Sequence, residues 1–304
     1  MRLPVVVAAL ATRAHVMLAA AVTALVTLAV TGCSGAGFFV ANAPTVFGSF
    51  QRAKDLAYGS GPRQGLDVYY QSNTRDRPVV IFWYGGSWTQ GEKSRYKFVG
   101  AALAERGFVA VLPNYRLYPA VKFPEFIADG AHAVAWAERH AREFGGDPHK
   151  IVLMGHSAGA HMAAFLALNA AALTQGGAEP HDIVGLVGLS GPYALDPNSD
   201  TLRTIFAAPY TLSDWQPVRF VSPHSPPTLL IHGQDDKIVA IAHAEKLRDA
   251  LRQQGVRVET DFYAGKGHSD TVASFSLAAR KRTPALERSV AFIESVTGKS
   301  GPSR

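Results

Sequence analysis

Apolar and polar residues alternate along the chain in blocks that predict strands and helices in turn. Short, mostly apolar runs are typical of strands covered on both faces, and they recur from residue 66 onward. Strands are predicted at 66–70, 78–83, 108–112, 151–154, 183–189, 228–231 and 257–263. Helices are predicted at 94–106, 124–143, 158–173, 240–254 and 284–296. This alternation predicts one α/β domain, a mostly parallel central sheet with helices on both faces.

Two segments interrupt the alternation. Residues 192–227 are rich in Pro, Ser and Asp and offer only a short helix near residues 202–207, which predicts a cap inserted into the domain. Residues 33–50 begin rich in Gly, Ala and Ser and have no regular period, so we expect a tether. The folded domain is therefore expected to span residues 51–304.

The N-terminus has the pattern of a secretory signal. Arg2 and Arg13 precede an uncharged apolar run at residues 16–33, so residues 1–32 are predicted to be a signal peptide. Its end, Val-Thr-Gly-Cys at 30–33, resembles the lipobox of bacterial lipoproteins, which implies that Cys33 receives lipid and becomes the mature N-terminus. An uncleaved transmembrane anchor is the alternative. Either way we expect an exported protein, bound to the membrane of the bacterial cell envelope.

Composition and charge narrow the functional classes. The chain has 304 residues, 47% hydrophobic and 18% charged, which is ordinary for a globular protein. Its net charge is +6, but the basic residues are scattered and no basic-aromatic stripe occurs. We therefore predict no nucleic-acid binding. Zinc-ligand spacing is also absent, and we predict neither a metal nor a cofactor.

The segment Gly-His-Ser-Ala-Gly at 155–159 contains the pattern Gly-x-Ser-x-Gly. It lies between a predicted strand and a predicted helix, where a serine is pushed outward on a strained turn. A serine hydroxyl needs a base and an orienting acid to act as a nucleophile. Loops after two later strands supply Asp236 and His268. Ser157, Asp236 and His268 then follow in the order expected of an α/β-hydrolase.

With these segments placed, residues 55–297 resemble the α/β-hydrolase superfamily, and within it bacterial carboxylesterases and prenylcysteine-methylesterase-like esterases. The resemblance rests on motifs in the family's order. They are Tyr-Gly-Gly-Ser-Trp at 84–88, Asn-Tyr-Arg-Leu-Tyr-Pro at 114–119, Gly-Gly-Asp-Pro at 145–148, Gly-His-Ser-Ala-Gly-Ala-His at 155–161, His-Gly-Gln-Asp-Asp-Lys-Ile-Val at 232–239 and Gly-Lys-Gly-His at 265–268.

The resemblance implies a role for each site residue. Ser157 is the nucleophile, His268 the base and Asp236 the orienting acid, with Asp235 as the alternative acid. The amide of Ala158 is one expected oxyanion donor. Esterases of this kind usually carry His-Gly-Gly where this chain has Tyr84. By analogy with cholinesterase-like enzymes, Gly86 and Ser87 are the other donors.

The expected function is cleavage of small-molecule carboxylic esters through an acyl-enzyme. An amidase, an arylformamidase or a peptidase could use the same triad, and a lipid-anchored binding module is the non-enzymatic alternative. The aromatic residues of the cap either form apolar walls over the substrate or pack within the cap itself. They are Tyr193, Phe206, Tyr210, Trp215 and Phe220.

Overall fold

A computed structural model describes residues 35–298 of the chain. The predicted signal peptide and Cys33 lie outside the described residues. Across residues 35–298, no helix combines the length and the apolar character that a membrane crossing needs.

The core of the molecule is an eight-stranded sheet. Its strands are β1 (Gln51–Ala57), β2 (Gly65–Tyr70), β3 (Arg77–Trp83), β4 (Val109–Pro113), β5 (Gly146–His156), β6 (Ile183–Leu189), β7 (Thr228–Gly233) and β8 (Val258–Tyr263). They are ordered β1-β2-β4-β3-β5-β6-β7-β8. β2 pairs antiparallel with β1 and β4, and all other neighbours are parallel. The predicted mostly parallel sheet is confirmed.

Helices connect the strands and pack against the sheet. The α-helices are α1 (Gly35–Asn42), α2 (Lys97–Glu105), α3 (Glu125–His140), α4 (Ala158–Leu168), α5 (Ala170–Gln175), α6 (Asp200–Ile205), α7 (Leu212–Trp215), α8 (Ala242–Gln253), α9 (Asp270–Ala273) and α10 (Ala285–Thr297). Short 3-10 helices cover Ala43–Phe47, Lys93–Tyr96, Ala141–Phe144, Pro180–Asp182 and Pro217–Phe220.

The predicted elements are found with shifts at their ends. The helix expected over 158–173 is two helices, because Asn169 leaves the helical conformation (φ −111°, ψ 88°). Its side chain then accepts a hydrogen bond from the amide of Ala172 at 3.2 Å and caps α5. Because the carboxyl ends of parallel strands meet at one edge, the loops after β3, β5, β7 and β8 converge there.

The prediction of a tether over residues 33–50 is wrong for the part that the structure describes. Residues 35–42 form α1, and Asn42 fastens this helix to the domain. The Asn42 side-chain amide donates to the carbonyl of Arg95 at 2.8 Å, and its oxygen accepts from the amide of Phe98 at 3.0 Å. The ring of Phe38 lies 5.0 Å from that of Tyr96. Contacts with residues distant in the sequence hold this segment in place. Its own glycine-rich composition therefore did not predict a helix.

Candidate active site

Ser157 lies between β5 and α4 in a strained turn with φ 56° and ψ −124°. The flanking glycines make the turn sterically feasible. A Cβ atom at Gly155 would lie 2.2 Å from the carbonyl oxygen of Gly159, and one at Gly159 would lie 2.1 Å from that of Trp83. The amide of Ser157 donates to the carbonyl of Leu189 on the neighbouring strand at 2.9 Å. Strand pairing therefore holds the strained conformation in place.

His268 follows β8 and forms a hydrogen bond with Asp236, which follows β7. The His268 Nδ1 atom lies 2.7 Å from Asp236 Oδ2. The other carboxylate oxygen accepts from the amides of Ile238 and Val239, both at 2.9 Å. Asp235 is exposed, and its amide donates to the carbonyl of Lys266 at 2.9 Å. Of the two neighbouring acids, the structure joins Asp236 to His268.

His232 is a second imidazole in contact with the carboxylate of Asp236. Its Nε2 atom lies 2.8 Å from the Val239 carbonyl oxygen and 3.3 Å from Asp236 Oδ2. Burial acts to raise the pKa of Asp236, but hydrogen bonds from His232, His268 and the Val239 amide outweigh it. The pKa therefore lies well below the ordinary carboxyl value, and Asp236 is ionised at neutral pH.

His156 holds the backbone of His268. Its Nε2 atom donates to the His268 carbonyl at 3.0 Å, and the two rings are 4.8 Å apart. Burial, and next the nearby charge of His268, lower the pKa of His156 to about 3. His156 is therefore a neutral structural support at neutral pH.

The loop after β3 packs directly against the serine turn. A Cβ atom at Gly85 would lie 2.8 Å from the Cβ of Ser157, which explains the first glycine. Gly86 has φ 136°, and a Cβ there would lie 2.1 Å from the Gln90 carbonyl oxygen, which explains the second. Ser87 also has a positive φ, 51°. This loop is therefore a tightly constrained backbone segment at the serine.

Three amides of this loop and of the serine turn have no hydrogen-bond partner in the described part of the chain. Within residues 35–298, no hydrogen bond uses the amide of Gly86, Ser87 or Ala158. Gly86, Ser87, Ser157 and His268 line one cleft. The cleft thus brings together a serine hydroxyl, an imidazole and two of these three backbone donors.

Tyr84, which stands where related motifs have histidine, is buried and is not among the residues that line the cleft. Its hydroxyl accepts from Arg63 Nη2 at 2.8 Å and contacts Asn114 Oδ1 at 3.1 Å. The same Arg63 atom donates to the Gly91 carbonyl at 2.7 Å. Arg63 therefore joins the two ends of the loop. Most of the partners of Arg63 are backbone carbonyls, which every residue has. No sequence motif could therefore single out Arg63.

The aromatic residues of the cap pack on the core, except for Tyr210, which is exposed. Phe206 lies 4.8 Å from Trp88 and 5.5 Å from Trp215, and Phe220 lies 5.0 Å from Phe165, measured between ring centres. Of the five cap aromatics, none lines the described cleft around Ser157. Its apolar wall includes Phe38 of α1 instead, a residue that the sequence placed in a tether.

One group of potential metal ligands occurs within residues 35–298. His149, His181 and Asp182 bring one ligand atom each to within 4.8 Å of one another. They precede or begin β5 and β6, at the sheet edge opposite Ser157. They therefore belong to no part of the cleft.

Comparisons with known proteins find relatives that are named as esterases. The chain is 32% identical over 255 residues to the isoprenylcysteine alpha-carbonyl methylesterase ICME of Arabidopsis thaliana, covering 76% of this chain and 60% of that protein. It is 33% identical over 265 residues to Esterase LipC of Mycobacterium tuberculosis, covering 78% and 63%. The chain thus spans somewhat less than two thirds of these relatives.

A solved structure shares the fold. The truncated form of a carbohydrate esterase from gut microbiota superposes with a TM-score of 0.73 at 20% identity, covering 83% of this chain and 98% of that one. The BD-FAE family matches residues 66–251, which include the loop after β3, the serine turn and the Asp236 loop. The chain belongs to the BD-FAE family and has the α/β-hydrolase fold.

Proposed function

We propose that this protein is a serine hydrolase that cleaves carboxylic esters through an acyl-enzyme. The observation that carries the proposal is one cleft lined both by Ser157, on its strained turn, and by His268, which is hydrogen-bonded to Asp236. The esterases among its relatives and structural neighbours support the same reaction class.

The proposed reaction begins with attack of Ser157 Oγ on the ester carbonyl carbon. Because the ionised Asp236 holds the Nδ1–H of His268, Nε2 is left as the base that takes the serine proton. His268 then returns this proton to the leaving alcohol as the C–O bond breaks. A water molecule, deprotonated by His268, hydrolyses the acyl-enzyme and restores Ser157.

The amides of Gly86, Ser87 and Ala158 are the proposed donors to the oxyanion that forms in each step. Donors fixed in advance stabilise the transition state by a few kcal/mol each, since no reorganisation is needed. The fixed loop and the absence of competing partners for these amides within residues 35–298 support this assignment. The chemistry requires no metal or cofactor.

The test is turnover of p-nitrophenyl esters by the wild type and three variants. We expect Ser157→Ala to lower kcat by several orders of magnitude, leaving only the residual catalysis that the oxyanion donors and binding supply, and Asp236→Asn to lower kcat by about 10⁴-fold. Asp235→Asn is the matched control and should stay within twofold of wild type. Serine-independent turnover would refute the hydrolase. Faster cleavage of anilides than of esters would instead favour an amidase or peptidase. If neither esters nor anilides were cleaved, a binding module would be favoured.

We also propose that the protein is exported and anchored through lipid on Cys33. The signal-like residues 1–32 and the lipobox-like sequence before Cys33 support this. Labelling cells with a clickable fatty acid should mark the wild type and leave Cys33→Ala unmarked. Equal labelling of both proteins would contradict the anchor.

A further inference from the structure

A second cavity lies beside the cleft. One wall is α1, which contributes Phe38, Val40 and Ala41. The facing wall is the segment that follows His268, including Val272 and Ala273. Most of this lining is aliphatic or aromatic, so the cavity favours an apolar ligand.

The cavity and the cleft are adjoining spaces. Phe38, Tyr96 and His156 line both of them. His156 immediately precedes Ser157 in the chain, so this shared wall lies next to the serine. The cavity therefore begins where a substrate held at Ser157 would extend.

The electrostatics of the shared wall also suit an apolar chain. His156 is the ionisable imidazole in it, and burial lowers its pKa to about 3. At neutral pH this wall carries no imidazolium charge that a hydrocarbon would have to desolvate. The Tyr96 side chain is itself buried and packs on Phe38.

We propose that this cavity binds a hydrocarbon chain of the ester substrate and that α1 is a specificity-determining element. The inference rests on the proposed esterase function and names its substrate class: esters with an extended aliphatic chain. Burying one methylene group is worth about a fourfold gain in affinity. Preference should therefore rise with chain length until the cavity is filled.

The test compares two ester series. One series varies the acyl chain from p-nitrophenyl acetate to octanoate, and the other varies the alcohol from methyl to octyl acetate. For the wild type, the ratio of kcat/KM between the longest and shortest esters should exceed tenfold in one series. The responding series identifies which half of the ester occupies the cavity.

Two variants fill the cavity from opposite walls, Ala273→Phe and Val40→Phe. Each should lower the long-to-short ratio of kcat/KM by at least tenfold. Two controls leave the cavity untouched: Phe39→Ala, since Phe39 is 76% exposed, and Ala57→Phe on β1. Both controls should keep the wild-type ratio within twofold. Circular dichroism identifies a variant that fails to fold. In that case the other filling variant is the one that tests the proposal.

A binding measurement separates this inference from the proposed function. The inactive Ser157→Ala protein should bind cis-parinaric acid, and either filling substitution should weaken this binding at least tenfold. If the filling substitutions weaken binding as expected but the wild type cleaves no ester, the proposed esterase function is refuted and the hydrocarbon-binding cavity stands. Ester turnover with unchanged chain-length ratios and unchanged binding would overturn the inference.

Discussion

At the scale of single residues, the loop after β3 depends on the side chain of Arg63, which belongs to no recognisable sequence motif. Arg63 donates to Tyr84 Oη, to the Gly91 carbonyl and, through Nε, to the Tyr115 carbonyl at 2.8 Å. A planar guanidinium can make these three bonds at once, whereas an ammonium group cannot match their geometry. Tyr84 is thus an internal support of the loop and does not line the cleft.

Arg63→Lys and Arg63→Met should therefore lower kcat about tenfold or more, because the loop no longer holds its amides in place. KM should change less than threefold, since these side chains do not line the cleft. Arg106→Met, which breaks a surface pair with Glu287, is the control and should leave kcat unchanged. Steady-state kinetics measure kcat and KM for each protein, and thermal unfolding measures Tm. A lower Tm with unchanged kcat would show that Arg63 contributes to the stability of the fold and not to the position of the amides.

At the scale of elements, sequence patterns predicted those elements whose own residues decide their conformation. β3 and β5 are apolar runs covered on both faces, and the glycines around Ser157 have local steric reasons. By contrast, β1 has the mostly polar sequence Gln-Arg-Ala-Lys-Asp-Leu-Ala and alternates only partly in burial, so no pattern indicated a strand. β1 lies at the edge of the sheet and is held there by its antiparallel pairing with β2.

The helix α1 illustrates the same limit at the site itself. Its sequence, Gly-Ala-Gly-Phe-Phe-Val-Ala-Asn, has two glycines and no charged cap, so its intrinsic helix propensity is low. Bonds from Asn42 to residues more than fifty positions away hold it instead. The sequence therefore predicted Ser157, Asp236 and His268 from motifs but missed Phe38, the residue of α1 in the cleft.

Asn42→Ala should release α1. The amide of Phe98 loses its acceptor and two carbonyls lose a donor, and an unsatisfied buried group costs about 1–3 kcal/mol. We expect amide hydrogen exchange over residues 35–42 to accelerate about tenfold or more, with β5 unaffected. Asn198→Ala, at an exposed position in the cap, is the control. Unchanged exchange over residues 35–42 would show that other contacts hold the helix, such as the packing of Phe38 on Tyr96 and the hydrogen bond from the Ser276 hydroxyl to the Ala41 carbonyl.

At the scale of the whole molecule, buried neutral histidines set the response to acid. His161 is fully buried on α4, and its Nε2 atom donates to the Trp215 carbonyl at 2.7 Å. Its Nδ1 atom has no partner among the described residues, so a second proton there would have no acceptor. Burial lowers the pKa of His161 to about 4, and the charge of His243 acts in the same direction.

The sign of the pH dependence follows from these values. An unfolded histidine has a pKa near 6.5, so between about pH 6.5 and 4 the unfolded chain binds a proton that the folded one excludes. The stabilisation is complete above pH 6.5 and is lost as the pH falls toward 4, at up to about 1.4 kcal/mol per pH unit. Over this window His161 should contribute on the order of 3 kcal/mol to the loss.

His161→Gln keeps an N–H donor for the Trp215 carbonyl and cannot take up a proton, so it should flatten this dependence. Denaturant unfolding at pH 7 and pH 5 measures the change in the free energy of unfolding for each protein. The wild type should lose about 2 kcal/mol more than the variant between these pH values. His224→Gln, at an exposed position, should lose as much as the wild type. Equal losses in His161→Gln and wild type would mean that the molecule accommodates the imidazolium, and that acid acts on the fold elsewhere.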